Sequence, residues 1–567
     1  MSMEVSDAKL LRVFLRTKFQ FTLEEYKRLY YMPADETTPF VHKYEARALL
    51  DRLSSHPLLQ LPEEKDEKAP EDVYVAQALI NYYIGLNFNE TEEISDSEKT
   101  LARSLEYFTQ ISKERKLYFL TTLQDLLNNL GIIYVNREDV KKGVRYFGKS
   151  SELYKILMAL EDFPKSKFYI ETTNNRENSE SYYTLTLFYL AQVYSQTNQK
   201  DKASEYCTTC LKRQYEMDSY ELKDWIINAL SMSDYYMDNM KFAQAEYLLR
   251  VCLDVLPKDE EKRKKLRAHV WRQLGKVNYD RLQFFCEQRK SGCETPGEGL
   301  QTLFNTQSCL FNQTGKGGEA KWQDVKVIDS YEEAKECFKA GRVWYEKSLT
   351  VFVIDGYVTD YIDIVQKISG LYLNLAAWEG EIPRLIAMHS RRLTLVEPLA
   401  KDINEKAYIN VWQQLMTEIG DIHNDIFELK LLKLQKRKKA PKQEVIDEMN
   451  DSGRNALTAF TKLLSQIEEL DKEERSDQTW QSILNLKFSM ARLYSRLVES
   501  DYKTQIENVK MSLDYYSYIR DELKKKEVDG SITRPQREQL QLCSEMCGLI
   551  PAKISKINAQ ERPIYSQ

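Results

Sequence analysis

The stretch LGIIY at residues 130–134 recurs along the chain as LAQVY at 190–194, MSDYY at 232–236 and LGKVN at 274–278. The last three copies follow one another at intervals of 42 residues, and the first lies 60 residues before the second. Each copy resembles the Leu-Gly-x2-Tyr core in the first helix of a tetratricopeptide repeat. Because stacked helix pairs of this type bury a continuous core, the pattern predicts an all-α fold. The expected architecture is a right-handed α-solenoid of tetratricopeptide-like antiparallel helix pairs.

The residues expected on the second helix of each pair support three of the four copies. At the positions where the repeat has small, bulky and small residues, the chain has Gly143, Phe147 and Ser150, then Ala203, Cys207 and Cys210, and then Ala245, Leu249 and Cys252. The fourth copy opens well, with Trp271 three residues before its leucine, but no second helix follows at the expected spacing, so we expect that helix to be lost. A degenerate earlier pair is expected at 75–86 and 97–108.

The repeat pattern also suggests a division of the 567 residues. After about residue 285 the sequence contains SGCETPGEG and NQTGKGGEA, a Gly-rich stretch too long for an ordinary helix connection. We therefore predict an N-terminal helical region with repeats at 1–285, a flexible insertion or hinge at 286–325, and a C-terminal helical-repeat subdomain at 326–567. Two polar segments, at 62–72 and 436–442, are predicted to be solvated loops.

Composition and motifs exclude several function classes. The first residues lack the basic start and apolar run of a signal peptide, and no stretch is apolar enough to span a bilayer, so we expect a cytoplasmic protein without membrane insertion. With a net charge of −6, general nucleic-acid binding has little support. Cys207 and Cys210 form a C-x2-C pair but lack two further ligands at suitable spacing, so no metal is expected. No catalytic or phosphate-binding motif is present, and we predict neither an enzyme nor a cofactor.

Several stretches resemble the KIF-binding protein family, in the family's order. They are KYEARALL at 43–50, YLAQVY at 189–194, LKRQ at 211–214, IDGYVTDYIDIVQ at 354–366 and MHSRRLTLVEPLAKDIN at 388–404. The resemblance implies a regulator whose partners are kinesin motor domains, gripped on their microtubule-facing side and kept from the track. It further implies a cytoskeleton-associated location and a role in axonal microtubules and neuronal development. A monomer is expected, although the sequence does not fix the oligomeric state.

The same resemblance implies a set of partner-binding residues, namely Tyr189, Gln192, Gln196, Gln214 and Ser231. Helical periodicity places the first three opposite the packed stripe formed by Leu187, Leu190, Ala191 and Tyr194. Ser231 falls on the equivalent outer face of the next copy, whereas Gln214 falls on the packed side near a helix end. At the position of Gln196 the vertebrate family has a histidine.

Three alternatives remain at this stage. A chaperone-type or cargo adaptor would clamp a peptide carboxylate with basic residues on successive first helices, but this chain has Leu185, Tyr189, Ile227 and Ser231 there, and Asn129 alone fits. A kinesin light-chain-like cargo adaptor should carry a long heptad region, and none is evident. An enzyme with an unrecognised site on a helical scaffold is the third.

Overall fold

A computed structural model describes most of the chain as helices. The described residues are 5–33, 39–62, 69–160, 170, 172–257, 263–291, 301–302, 304–305, 322–436, 441–470 and 477–560. They form two compact units, the first comprising those up to residue 228 and the second those from 229 onward. Throughout these ranges the regular secondary structure is helical, which confirms the predicted all-α solenoid.

The first unit contains ten α-helices and the start of an eleventh among its described residues. They are α1 (Val5–Phe14), α2 (Gln20–Tyr30), α3 (Val41–Ser54), α4 (Glu71–Glu90), α5 (Ile94–Thr109), the short α6 (Lys113–Lys116), α7 (Leu120–Asn136), α8 (Val140–Met158), α9 (Arg176–Gln196), α10 (Lys200–Met217) and α11 (Leu222–Asp238). Helices α4 and α5, α7 and α8, and α9 and α10 pack as successive pairs. We call the first member of each pair its first helix.

The second unit begins within α11 and continues with further packed helices. They are α12 (Phe242–Val255), α13 (Lys264–Lys290), α14 (Tyr331–Leu349), α15 (Val358–Ala376), α16 (Ile382–Asp402), α17 (Ile409–Gln435), α18 (Gln443–Leu470), α19 (Asp477–Arg496), α20 (Tyr502–Val528) and α21 (Arg534–Gln560). Each packs against its neighbour in the chain. Among the described helices, none combines the length and hydropathy needed to cross a membrane.

The turns that follow α4, α7, α9 and α11 have the same backbone geometry. One residue in each turn has a positive φ of 57° to 65°, namely Glu92, Glu138, Asn198 and Met240. The amide of the next residue donates to a first-helix carbonyl at 2.8 to 2.9 Å, giving the pairs Glu93–Phe88, Asp139–Tyr134, Gln199–Tyr194 and Lys241–Tyr236. The shared geometry shows that α4 and α5 form a repeat of the same type, at the position where a degenerate pair is predicted.

Close packing within the pairs explains the glycine of the repeat. A Cβ on Gly131 would lie 2.7 Å from the Phe147 ring, and one on Gly275 would lie 2.7 Å from the Tyr345 ring. Tyr345 belongs to α14, so α14 is the second helix of the fourth copy. The prediction that this helix is lost is therefore wrong. It follows its partner only after a long intervening segment, which a search at fixed spacing cannot bridge.

The structure describes only part of the predicted insertion or hinge at 286–325. Helix α13 continues to Lys290, and residues 292–300, 303 and 306–321 lie outside the described residues. The helices that flank the segment, α13 and α14, pack on each other as one pair. The division at 285 and 326 stays a prediction. Residues 63–68 and 437–440 of the two predicted polar loops also lie outside the described ranges.

Candidate protein-binding surfaces

Tyr189 lies on α9, and its ring packs against neighbouring aromatic rings. Its ring stacks on the ring of Phe147 from α8, with centroids 5.7 Å apart and planes 10° from parallel. It also meets the ring of Phe188 edge-on at 5.6 Å. Phe147 is completely buried, whereas Tyr189 is half-buried. The expectation that Tyr189 only opposes the packed stripe is therefore corrected: a large ring on the flank of a helix reaches the preceding pair.

Gln192 and Gln196 lie on the same face of α9 as Tyr189, three and seven residues further along. Both are exposed, as the helical periodicity predicts. The structure therefore gathers these three residues on one helix face. Exposed amides beside a partly exposed tyrosine ring can provide adaptable hydrogen bonds next to an aromatic contact.

Gln214, in the last turn of α10, lines a cleft of about 570 Å³ in the first unit. Leu185 and Phe188 from α9 form one wall, and Trp225 and Ile227 from α11 form another. Leu185 and Ile227 are 37% and 44% exposed, which is unusual for large aliphatic side chains. The cleft, which we call the apolar cleft, can accept an apolar side chain from a partner. Gln214 is therefore half-buried at a cleft rather than packed inside a pair, which corrects its predicted placement.

Ser231 belongs to the second unit and is exposed on α11. Asp234 and Asp238 follow it at positions i+3 and i+7, so the three residues share one face of the helix. This face leads to a set of carboxylates on α13, α15 and α17. We define the acidic face of the second unit by its carboxylates, Asp234, Asp238, Asp280, Asp360, Asp363, Glu418, Asp421 and Asp425.

Contacts between α11, α13 and α15 hold one side of the acidic face. The Lys276 amine lies 2.5 Å from an oxygen of Asp234. The Arg272 guanidinium donates to Asp360 and to Asp363, each at 2.7 Å. Arg272 and Lys276 lie four residues apart on α13, and Asp360 and Asp363 lie three residues apart on α15, so each pair shares one face of its helix. The carboxylates outnumber the basic groups among them.

Asp280 has no basic side chain within ion-pair distance among the described residues. Burial raises the pKa of its carboxyl to about 6, and the nearby charges of Asp234 and Asp238 add to the increase. Lys276 and Lys367 oppose the increase without cancelling it. The ammonium group of Lys367 instead lies over the Tyr279 ring, 4.6 Å from its centroid. A negative charge at Asp280 is therefore poorly compensated in the free protein.

The other side of the acidic face is built on a buried arginine. Arg392 of α16 is 4% exposed, and its guanidinium donates to the Ser369 hydroxyl at 3.1 Å and to Glu418 at 3.4 Å. The Ser369 hydroxyl also donates to Glu418, at 2.5 Å. Since the contacts come from α15 and α16, they fix the orientation of Glu418 on α17.

Asp421 and Asp425 continue the same face of α17, three and seven residues after Glu418. The pKa of the Asp421 carboxyl is raised to about 6, mainly by partial removal from water and secondly by repulsion from Asp425. Burial likewise raises the pKa of Asp425, although Arg392 opposes it. The single arginine cannot neutralise the negative charge of these carboxylates. A cationic partner group would relieve that repulsion.

A cleft of about 1140 Å³ in the second unit lies elsewhere, between α16, α17, α18, α19 and α20. Its charged lining residues are nearly balanced in sign, and Arg454 is paired with Glu499 at 2.9 Å. Size alone does not make this cleft the better binding surface. The acidic face carries the stronger chemical preference, because its charges have one dominant sign.

The acidic face was not identified from the sequence, although a signal for it exists. The overall charge of −6 does not show where the carboxylates lie. On α17, however, Glu418, Asp421 and Asp425 recur at helical spacing beside a buried stripe that includes Leu415, Ile419 and Ile422. A helical projection of each first helix would have shown the carboxylates on a common side.

Comparison with known proteins gives a consistent picture. The family model described as "KIF-1 binding protein C terminal" matches residues 223–557, more than half of the chain. The chain is 29% identical to the KIF-binding protein of Gallus gallus and 26% identical to that of Homo sapiens, with 93% of this chain and 95% of each relative covered. A solved structure of a kinesin binding protein is 25% identical, with a TM-score of 0.61, and the match covers 94% of this chain and 97% of that one.

Proposed function

The chain belongs to the KIF-binding protein family, and from this membership we propose that it is a regulatory protein that binds kinesin motor domains. The motor domain would be gripped on its microtubule-facing side, which blocks its attachment to microtubules. The proposal includes a cytoplasmic, cytoskeleton-associated location and support of axonal microtubule organisation and neuronal development. Binding, rather than catalysis, is the activity.

The acidic face is the observation that carries this proposal. Tubulin offers kinesin an acidic track, so the motor surface that docks on tubulin must be basic. Asp280 and Asp421 present carboxylates with no basic side chain within ion-pair distance in the described part of the chain, beside the paired carboxylates of α15 and α17. A basic motor surface gains favourable electrostatic energy by neutralising them. The basic groups that the motor domain needs for tubulin are then occupied.

The contact residues implied by the family resemblance remain part of the proposal. Gln192 and Gln196 would hydrogen-bond the motor domain from α9, with Tyr189 as an aromatic contact and Gln214 at the rim of the apolar cleft. Ser231 would act in the second unit, on the same helix face as Asp234. Such surfaces usually derive most of their affinity from a few residues, so we expect unequal contributions.

A groove that clamps a peptide carboxylate is less well supported. Asn129, the residue that fits such a clamp, donates its amide to Asp125 instead, at 2.9 Å to the backbone oxygen and 3.2 Å to the carboxylate. Asp125 is itself a buried carboxylate on the same helix. A second carboxylate brought by a peptide would be repelled there.

The proposal is tested by binding of a purified kinesin motor domain to the full chain in the absence of microtubules. Neutralising the unpaired carboxylates with Asp280→Asn and Asp421→Asn should weaken binding by about tenfold or more. Glu507→Gln with Glu527→Gln on α20 removes the same charge from exposed positions outside the acidic face and is the matched control. Equal loss of affinity in both double variants would reduce the effect to net charge, and no loss in either would remove the acidic face from the proposal.

A further inference from the structure

A second cleft of the first unit is lined by tyrosines. It has a volume of about 490 Å³ and lies between α2, α4, α7 and α9, so several first helices contribute to its walls. Six tyrosine rings line it, those of Tyr26, Tyr30, Tyr31, Tyr82, Tyr83 and Tyr182. The ring centroids of Tyr26 and Tyr83 are 5.4 Å apart, those of Tyr82 and Tyr83 are 5.1 Å apart, and those of Tyr30 and Tyr31 are 5.0 Å apart. We call it the tyrosine cleft.

Asp125 of α7 contributes a buried carboxylate to this cleft, with 7% of the residue exposed. One carboxylate oxygen accepts from the Tyr82 hydroxyl at 2.5 Å, and the other accepts from the Asn129 amide at 3.2 Å. A carboxylate has sites for about four hydrogen bonds, so acceptor capacity remains. Within the described ranges no lysine, arginine or histidine lies within ion-pair distance of it.

The surroundings of Asp125 make a positive ligand favourable. Burial raises the pKa of its carboxyl to about 6, despite the hydrogen bonds from Tyr82 and Asn129. The titratable groups that interact electrostatically with it include Tyr30, Tyr82, Tyr83 and Tyr182, whose own pKa values are raised by burial. These hydroxyls are neutral at physiological pH. Asp125 is therefore a buried negative charge among neutral aromatic rings, and an uncompensated buried charge is costly.

The same rings already attract ammonium groups within the protein. Lys27 itself lines the cleft, and its amine lies over the Tyr83 ring, 5.6 Å from the centroid. The Lys43 amine lies over the Tyr30 ring at 4.7 Å. Aromatic faces around a carboxylate are the chemistry by which proteins bind alkylammonium groups. The cleft is large enough for one side chain together with the backbone on either side. Asn178, which is exposed, adds an amide group to the lining for that backbone.

We propose that the tyrosine cleft binds the side-chain ammonium of a lysine in a basic segment of a partner protein, with Asp125 as its counter-ion. The ammonium enters among the tyrosine rings and donates to the free acceptor positions of the carboxylate. The proposal stands independently of the kinesin assignment, because it rests on the first unit alone and on a different set of residues. It excludes a carboxylate-ended peptide as the preferred ligand.

The test uses the full chain and two short capped peptides, acetyl-Ala-Lys-Ala-amide and its norleucine analogue. Norleucine keeps the four-carbon side chain of lysine but lacks the ammonium group, so it isolates the contribution of the charge. Calorimetric titration should show that the lysine peptide binds at least about tenfold more tightly. Equal binding of the two peptides, or binding of neither, overturns the proposal.

Two further measurements locate the site. Asp125→Asn, which is isosteric, should abolish the preference for lysine, whereas Glu106→Gln on the exposed side of α5 should retain it. Should Asp125→Asn fail to fold, the carboxyl carbon resonance of Asp125 in the unaltered chain gives the answer. The pKa of the Asp125 carboxyl, followed through this resonance, should fall when the lysine peptide is added. A pKa that does not change overturns the proposal. A kinesin motor domain that fails to bind the chain would contradict the proposed function and leave these outcomes unaffected.

Discussion

The ring of Tyr189 stacks on the ring of Phe147, with centroids 5.7 Å apart and planes 10° from parallel. Phe147 comes from the second helix of one pair and Tyr189 from the first helix of the next, so the contact joins two consecutive pairs of the first unit. Tyr189 therefore serves the fold in addition to any partner. Its neighbours Gln192 and Gln196 make no such ring contact and are exposed. Although the three residues share one helix face, their replacement should change the free energy of unfolding by different amounts.

Replacement of Tyr189 by alanine should lower the free energy of unfolding by about 1 to 3 kcal/mol, because a half-buried ring and its stacking partner are lost. Gln192→Ala and Gln196→Ala should each change it by less than about 0.5 kcal/mol. Urea denaturation of the three variants compares these effects directly. An unfolding free energy unchanged by Tyr189→Ala would mean that the stacking adds nothing to the fold. Loss of motor binding should therefore be assessed in the Gln192→Ala, Gln196→Ala double variant.

Two glycines of the same helix pair should respond in opposite directions to alanine. Gly131→Ala places a methyl group 2.7 Å from the Phe147 ring, so the helices must separate, and we expect a net loss of about 1 to 2 kcal/mol. Gly148 on α8 has open space around it, and Gly148→Ala should stabilise the chain by about 0.5 to 1 kcal/mol through its greater helix propensity. Thermal and urea unfolding measure both. Destabilisation by both variants to the same degree would contradict the packing account.

The limits of the sequence prediction follow from which contacts are local. Gly131 and Phe147 lie 16 residues apart in one uninterrupted pair, so their spacing revealed the repeat. Gly275 and Tyr345 make the equivalent contact across 70 residues, and no fixed spacing could connect them. Periodicity assigned Gln192 to the exposed face correctly. It failed for Tyr189, because a helical projection contains no information about rings on the neighbouring pair.

The candidate surfaces were harder to predict from the sequence than the fold was. The apolar cleft requires Leu185 of α9 and Ile227 of α11 to be brought together, and their separation in sequence gives no indication of it. The acidic face depends on the packing of four helices, although the carboxylate series within each helix is readable. In the sequence, Arg392 is one of two adjacent arginines, with Arg391. Its burial against Glu418 is a tertiary contact.

Removal of the buried arginine should destabilise the second unit. Arg392→Leu leaves Glu418 largely buried without its cation, and we expect a loss of about 3 kcal/mol in unfolding free energy. Arg391→Leu removes the same charge from an exposed position one residue earlier and should change stability by less than about 0.5 kcal/mol. Chemical denaturation of the two variants is the measurement. Similar losses in both would show that Arg392 does not act through Glu418.

The raised pKa values near 6 of Asp280 and Asp421 predict a pH effect on stability. Because each pKa is higher in the folded than in the unfolded chain, protonation favours folding, and this contribution is lost as the pH rises through 6. At pH 7.5 the Asp280→Asn, Asp421→Asn variant should therefore be more stable than the unaltered chain, by an amount that shrinks as the pH falls towards 5. Unfolding curves across this pH range measure the difference. A difference independent of pH would contradict it.

The same protonation should weaken motor binding at low pH, since a neutral carboxyl no longer attracts a basic surface. Affinity for a kinesin motor domain should fall by about tenfold between pH 7.5 and 5.5. The Asp280→Asn, Asp421→Asn variant should show a smaller fall, because two of the titrating groups are gone. Binding titrations at the two pH values, with the motor domain's own stability measured in parallel, give the comparison. An identical fall for both proteins would assign the pH effect to other groups.

The central claim is that the chain and the microtubule compete for one surface of the motor domain. It is tested most directly by sedimentation of microtubules with a kinesin motor domain in the presence of increasing amounts of the full chain. The account predicts that the motor domain leaves the microtubule pellet in proportion to the complex formed with the chain in the supernatant. A chain that appears in the pellet together with the motor domain, bound to it and to microtubules at once, would contradict the account.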